Sequence, residues 1–232
     1  MFTLKKIEKT IEIDEGDSFK VILSKYGAVA LDNQENLSDL IGEAVGDLDI
    51  EKGTISFGDI EMDVQILGFL SQDLNQWSWA WDNEEIFGKD LIEAACKIKE
   101  IGDEFEVPEF NSPLISTDYD FCHTLAMAAT SILGYDAYYA VSEEGLDIFV
   151  AIKSDKIEQN NSAQKFRNVY AIFQKNFNAY PKIAFEAYTK LKGYIFKPHD
   201  DFAVAKIGES RIIVGFTERG NVTHIQMLLE ED

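Results

Sequence analysis

The chain has 232 residues, 46% of them hydrophobic, enough to bury a sizeable core without metals or disulfides. Forty-two acidic residues face 21 basic ones, a net charge of −21. Such a surface repels phosphate backbones and anionic lipid, which argues against nucleic-acid and membrane partners and favours a basic one.

The first dozen residues, through FTLKKIEKTIEI, fit a strand or a short helix equally well. From Ser18 to about Glu43 the apolar residues Phe19, Ile22, Leu23, Tyr26, Leu37, Leu40 and Ile41 recur at helical spacing, with Asp17 or Ser18 as N-cap and Gly27 as a point of weakness. Three antiparallel strands follow: Thr54–Phe57, Glu61–Leu70 and Gln76–Asp82. Gly58-Asp59 and SQDLN form the turns. IFGKDLIEAACKIKEIGDEF reads as an amphipathic helix stopped at Gly102, and EVPEFNSPLIS as irregular chain. STDYDFCHTLAMAATSILGY reads as a helix capped by Thr117 or Asp118, ended by Gly134, with an alanine face for close packing. Tyr138–Val141 and Leu146–Ile152 pair around a Glu-Glu-Gly turn. A polar stretch, KSDKIEQNNSAQK, marks the candidate boundary between a domain over residues 1–155 and a subdomain over 156–232. Beyond it lie two helices, KFRNVYAIFQKNF and IAFEAYTKLKG. The strands Phe202–Ile207, Arg211–Thr217 and Val222–Leu228 follow, the last two a hairpin. Helices and antiparallel strands in separate runs predict an α+β fold: mostly antiparallel sheet packed by helices, with a smaller C-terminal helix-plus-hairpin subdomain.

The usual catalytic devices are missing from the sequence. No glycine-rich phosphate loop, HExxH, CxxC or EF-hand loop occurs. The three histidines, His123, His199 and His224, are far apart, so neither a metal nor a cofactor is expected. Two cysteines, Cys96 and Cys122, are too few for a disulfide framework and read as buried thiols. Cys122-His123 invites a nucleophile reading, but neighbours on a helix point about 100° apart, so His123 cannot readily serve Cys122 as a base. Acidic pairs such as Glu84-Glu85 and Glu143-Glu144 are expected by chance in so acidic a chain. The opening residues hold no apolar run of signal-peptide length, and no stretch is long enough to span a membrane, so a cytoplasmic location is expected.

The most distinctive segment is QWSWAWDN. It holds all three tryptophans, Trp77, Trp79 and Trp81, at every second position. On a strand that spacing turns the three indoles to one face, with Ser78 and Ala80 leaving room for something bulky on the other. Such a block is either a core wall or the floor of a pocket, with Asn83 at its end offering an amide. The stretch VQILGFLSQDLNQWSWAWDN resembles a bacterial domain family of unknown function with a glycine-bearing strand, a Trp-x-Trp-Ala-Trp-x-Asn strand and a helix. Gly68, Trp77, Trp79, Ala80, Trp81 and Asn83 carry the resemblance, which runs over about residues 33–152. It implies no activity. The candidate binding residues are therefore Trp77, Trp79, Trp81 and Asn83, with no catalytic residue assigned.

The leading expectation is a non-enzymatic interaction protein that binds a basic partner, as immunity and antitoxin proteins do. Next comes a binding domain for a small apolar or aromatic ligand with a Trp-lined pocket. A hydrolase using Cys122 or a carboxylate is third.

Overall fold

The computed structural model describes residues 11–228. Their contacts divide them into two compact units. The larger comprises Asp14–Phe19 and Asn33–Gln159; the smaller comprises Lys20–Asp32 and the chain from Asn160 on, with residues 11–13. Residues 2–10, most of the opening segment read as strand or helix, lie outside the described residues.

The periodic run after Ser18 forms one unbroken helix, α1 (Phe19–Ile41). It passes straight through Gly27, where a Cβ would come within 2.5 Å of the Phe173 ring. Glycine there costs the helix roughly 1 kcal/mol of propensity but lets an aromatic ring close on the backbone. The division between units cuts α1 after Asp32, so the helix contributes to both.

In the larger unit the strands are β1 (Asp47–Asp49), β2 (Thr54–Phe57), β3 (Ile60–Ser71), β4 (Gln76–Trp79), β5 (Leu114–Ser116), β6 (Ala137–Glu143) and β7 (Leu146–Lys153). They form one seven-stranded sheet with every pairing antiparallel. The long strand β3 is its spine. β7 runs along one edge over Asp63–Ser71, while β2 and β4 share the other edge, at Ile60–Asp63 and Gly68–Ser71. β1 adds outside β2, β5 outside β4, and β6 outside β7.

A register shift between Ile66 and Gly68 makes Leu67 a β-bulge, which reverses the facing of all later residues on the strand. Met62, Val64 and Ile66 enter one hydrophobic core. Beyond the bulge Phe69 packs on that core, while Gly68 turns to the opposite face and meets Trp77. Beyond the bulge both faces of the sheet are therefore packed.

The helices of this unit are α2 (Glu84–Phe87), α3 (Glu93–Glu104), α4 (Pro108–Asn111) and α5 (Tyr119–Leu133). α3 supplies Ala95 to the first core. It begins later than its apolar pattern suggests because Gly88, at φ +78°, breaks the chain after α2. Gly102 does not end it: the helix continues to Glu104 with Gly102 buried beneath Phe110 of α4. The stretch read as irregular thus holds both α4 and β5. α5 covers the other face of the sheet, where Tyr119 and His123 touch the Phe149 ring. Asp118 caps it by accepting a hydrogen bond from the Phe121 amide, and Gly134 closes it in the left-handed conformation. Its alanines Ala126, Ala128 and Ala129 are fully buried, as close packing requires.

In the smaller unit α6 (Ala163–Asn176) and α7 (Pro181–Leu191) precede β8 (Ile195–Pro198), β9 (Phe202–Ile207), β10 (Ser210–Phe216) and β11 (Val222–Leu228). The four strands form an antiparallel sheet in the order β11-β10-β9-β8. Ala203, Ala205, Ile212 and Val214 are fully buried on one face, α6 packing on β10 and β11 and α7 on β8. The fold is α+β, as the separate runs of helix and strand predict. The smaller unit also holds a buried ion cluster. The Asp32 carboxylate, on α1, receives Lys165 Nζ of α6 at 2.9 Å and Lys192 Nζ, just past α7, at 2.6 Å.

Candidate functional site

Only two of the three tryptophans lie on the strand. β4 ends at Trp79 because Ala80–Asp82 winds into a 3₁₀ turn, so Trp81 leaves the shared face. Trp77 and Trp79 are completely buried. Their rings meet edge to face at 5.1 Å, and Trp77 meets Phe149 at 5.2 Å. The Trp79 indole N–H donates to the Glu109 carbonyl at 2.9 Å, whereas the Trp77 N–H has no acceptor among the described residues. Trp81 packs, partly buried, against the first core, with Lys99 Nζ 5.5 Å from its ring centre. Asn83 is a turn-former: its side-chain amide donates to the Trp79 carbonyl at 3.0 Å, and its own carbonyl accepts from the Ile86 and Phe87 amides of α2. The four candidate residues thus form a core wall and its closing turn. The small residues between the indoles are explained as well. Ser78 lies opposite Phe69, and Ala80 is buried in the first core beneath α3.

Cys122 is fully buried and its thiol lies 3.2 Å from the Asp118 carbonyl. Burial, and then the nearby carboxylates of Asp118 and Asp147, push it up to about 12, so it stays a thiol at neutral pH and lacks the thiolate a nucleophile needs. The adjacent His123 faces elsewhere, its Nδ1 2.9 Å from the Tyr138 hydroxyl. Burial lowers its pKa, against the opposing pull of Asp120 and Asp147. Asp147 is itself buried, accepting from Ser142 Oγ at 2.6 Å and Gln72 Nε2 at 3.1 Å. This network is closed within the protein.

The open polar surface of the larger unit lies elsewhere. On β1, β2 and β3 the residues facing away from the first core form two cross-strand rows. One is Asp47, Ser56 and Glu61; the other is Asp49, Thr54 and Asp63, extended by Lys153 of β7. Asp47, Glu61 and Asp63 are exposed. Beside them lies a cleft of about 650 Å³ lined by Glu61, Asp63, Asp136, Asp155, Lys153 and Lys156 among others. Its lysines are engaged: Lys153 Nζ donates to the Gly134 carbonyl at 2.7 Å and Asp136 at 3.2 Å, and Lys156 Nζ to the Glu61 carbonyl at 2.7 Å. Lys52 pairs with Asp49 at 2.7 Å and holds that carboxyl below the usual carboxylate range. No group of three or more potential metal ligands occurs among the described residues. None of their helices is long and apolar enough to cross a membrane.

Residues 21–155 match the model of a family of unknown function, DUF6882. The chain belongs to this family. The DUF6882 match takes in most of α1 and the whole seven-stranded sheet, so the acidic rows, the cleft and the buried indoles all fall inside it. The helix pair and four-stranded sheet of the smaller unit lie beyond it. No curated protein and no solved structure matches the chain.

Sequence reading had no means of finding the acidic rows. Asp47 and Asp49 belong to a three-residue strand with no alternation long enough to notice, and register, not spacing, aligns them with Glu61 and Asp63.

Proposed function

We propose that this protein is a non-enzymatic interaction protein that holds a basic partner on the acidic face of β1–β3. The supporting observation is the pair of cross-strand rows, which place Asp47, Asp49, Glu61 and Asp63 on one open sheet face around Ser56 and Thr54, next to a cleft. Within each row the two acids stand two strands apart, roughly 10 Å, across Ser56 or Thr54, a separation at which like charges repel weakly and salt screens them. A cationic surface laid across them relieves that repulsion. Strand pairing fixes the backbone spacing of these residues before the partner arrives, which serves binding.

The test is capture from host lysate at low salt, by the native protein and by D47N/D49N/E61Q/D63N. A basic protein retained by the native chain should be released by raising salt and lost with the variant, since contacts between exposed charges are screened over about 8 Å at physiological ionic strength. Capture indifferent to both salt and the variant would rule out this face as the binding surface.

A further inference from the structure

The outer edge of a sheet is a template for another strand, and proteins block such edges with short strands, charge, proline or a covering group. In the seven-stranded sheet the outermost strands among the described residues are β1, β5 and β6. Each carries a block. β1 is three residues long and includes Asp47 and Asp49. β5 is also three residues long and follows Pro113. On β6 the Gln34 side chain accepts from the Tyr138 amide at 2.8 Å. In the four-stranded sheet β8 is four residues long and holds Lys197 and Pro198.

β11 differs from all of these. It runs for seven residues, Val222–Leu228, without an acidic residue, lysine, arginine, proline or glycine, in a chain that is 27% charged. Its register with β10 shifts near Phe216, which leaves Thr223 as a bulge at the hairpin end. From His224 to Leu228 the strand is regular, and among the described residues only its β10 side is paired. His224, Gln226 and Leu228 are exposed, whereas Ile225 and Met227 stand opposite the fully buried Val214 and Ile212.

We infer that β11 pairs antiparallel with β11 of a second copy of this chain. Charge selects the occupant. Neither an acidic nor a basic strand finds a counter-charge on this edge, so the edge matches another uncharged strand, and β11 is one. The strands β8–β11 contain no aspartate or glutamate, so copies joined here bring no strand carboxylates together. The register is self-complementary when the two-fold axis passes through Gln226. His224 then stands opposite Leu228 of the second copy, Ile225 opposite Met227, and Gln226 opposite its own counterpart. Residues directly opposite share a face. The apolar pairs therefore stay on the side that packs on α6, while the two Gln226 amides, each donor and acceptor, meet on the outer side. The Thr223 bulge falls outside these five positions. The product is one continuous eight-stranded sheet. The net charge of −21 on each copy opposes the approach, but that repulsion is screened by salt and strand pairing is not. The dimer therefore strengthens as salt rises, opposite to capture of a basic partner on β1–β3, and it stands whether or not that partner exists.

The experiment is sedimentation velocity of the full chain from about 10 μM to 1 mM, with amide-resolved NMR over the same dilution series. A concentration-dependent dimer is expected, with dilution shifts centred on β11 and tighter association in about 0.5 M than in 0.05 M sodium chloride. Gln226→Lys and Gln226→Glu each set like charges on the axis, and each alone should weaken association about fivefold. An equimolar mixture of the two variants sets opposite charges there and should recover the dimer. Lys197→Gln, on β8, should leave association unchanged. Gln226 is exposed, and melting curves confirm that its variants fold. Three outcomes overturn the proposal. One is a monomer throughout the concentration range. Another is a dimer indifferent to both Gln226 variants, which assigns association to another surface. The third is no recovery in the mixture, which removes the two-fold pairing at Gln226.

Discussion

Gly68 shows how one residue fixes the tryptophan wall. A Cβ at this position would stand 2.5 Å from the Ser78 carbonyl and 2.6 Å from the Trp77 ring, both too close for any side chain. The indole lies flat against bare backbone, and the bulge at Leu67 turns Gly68 toward it. Gly68→Ala should therefore destabilise the protein by about 1–3 kcal/mol, the usual cost of overpacking, measured as a shift in the urea midpoint with an unchanged slope. In the native protein the emission, which comes from three tryptophans with Trp77 and Trp79 fully buried, should be blue-shifted and poorly quenched by acrylamide. A red-shifted spectrum would contradict a sealed wall. His123 supplies a second prediction. Burial lowers its pKa in the folded state, so the unfolded chain takes up a proton first as the pH falls. Its contribution is complete above its ordinary value of about 6.5 and is lost progressively from there toward the depressed folded pKa. His123→Phe should flatten the decline of unfolding free energy below about pH 6.5 relative to the native protein; an identical slope would mean that the imidazole titrates alike folded and unfolded.

Long periodic elements are the ones the sequence discloses. α1, α5, α6 and the β6–β7 hairpin follow directly from apolar spacing and caps, because each buries a stripe or a face of its own. The strands β1, β5 and β8 do not: each is three or four residues long and shows no period of its own, whereas β2, equally short, is marked by the Gly58-Asp59 turn that follows it. The same limit hid the acidic face: Asp47 and Asp49 on β1 join their rows through register alone. Trp81 was misplaced for a related reason. Alternation over Trp77, Trp79 and Trp81 looks like one strand, but the chain turns at Ala80 to pack against α3. The buried Asp32 cluster is a tertiary fact of the same kind, joining α1 to Lys165 and Lys192 across more than a hundred residues of sequence. Here element packing depends on charge: Asp32 is 1% exposed and both lysine side chains 7%. Asp32→Asn leaves two ammonium groups buried without their carboxylate and should cost about 3–5 kcal/mol in chemical denaturation. A loss below about 1 kcal/mol would show that water replaces the carboxylate, as at a surface pair.

At the scale of the whole molecule the surplus of negative charge sets the response to salt. Ion pairs such as Lys99–Asp103 and Lys190–Glu186 are single helical turns with both partners about half exposed, and each contributes roughly 0–1 kcal/mol. Screening weakens those attractions, but it weakens the repulsion among 42 acidic residues as well, and that repulsion acts over longer distances between more pairs. The net effect is stabilising: Tm should rise between about 0.01 and 0.15 M sodium chloride, where the screening length falls from about 30 to 8 Å. The cross-strand rows gather four of these charges on one sheet face. Removing them in D47N/D49N/E61Q/D63N should raise Tm at low salt and shrink the further gain on adding salt, because the surplus of negative charge falls by four. If Tm instead falls with salt, local ion pairs outweigh the surplus, and the acidic face is already neutralised within the chain. An increment that survives in the variant would place the repulsion elsewhere on the surface and remove the energetic reason for a cation to settle on β1–β3.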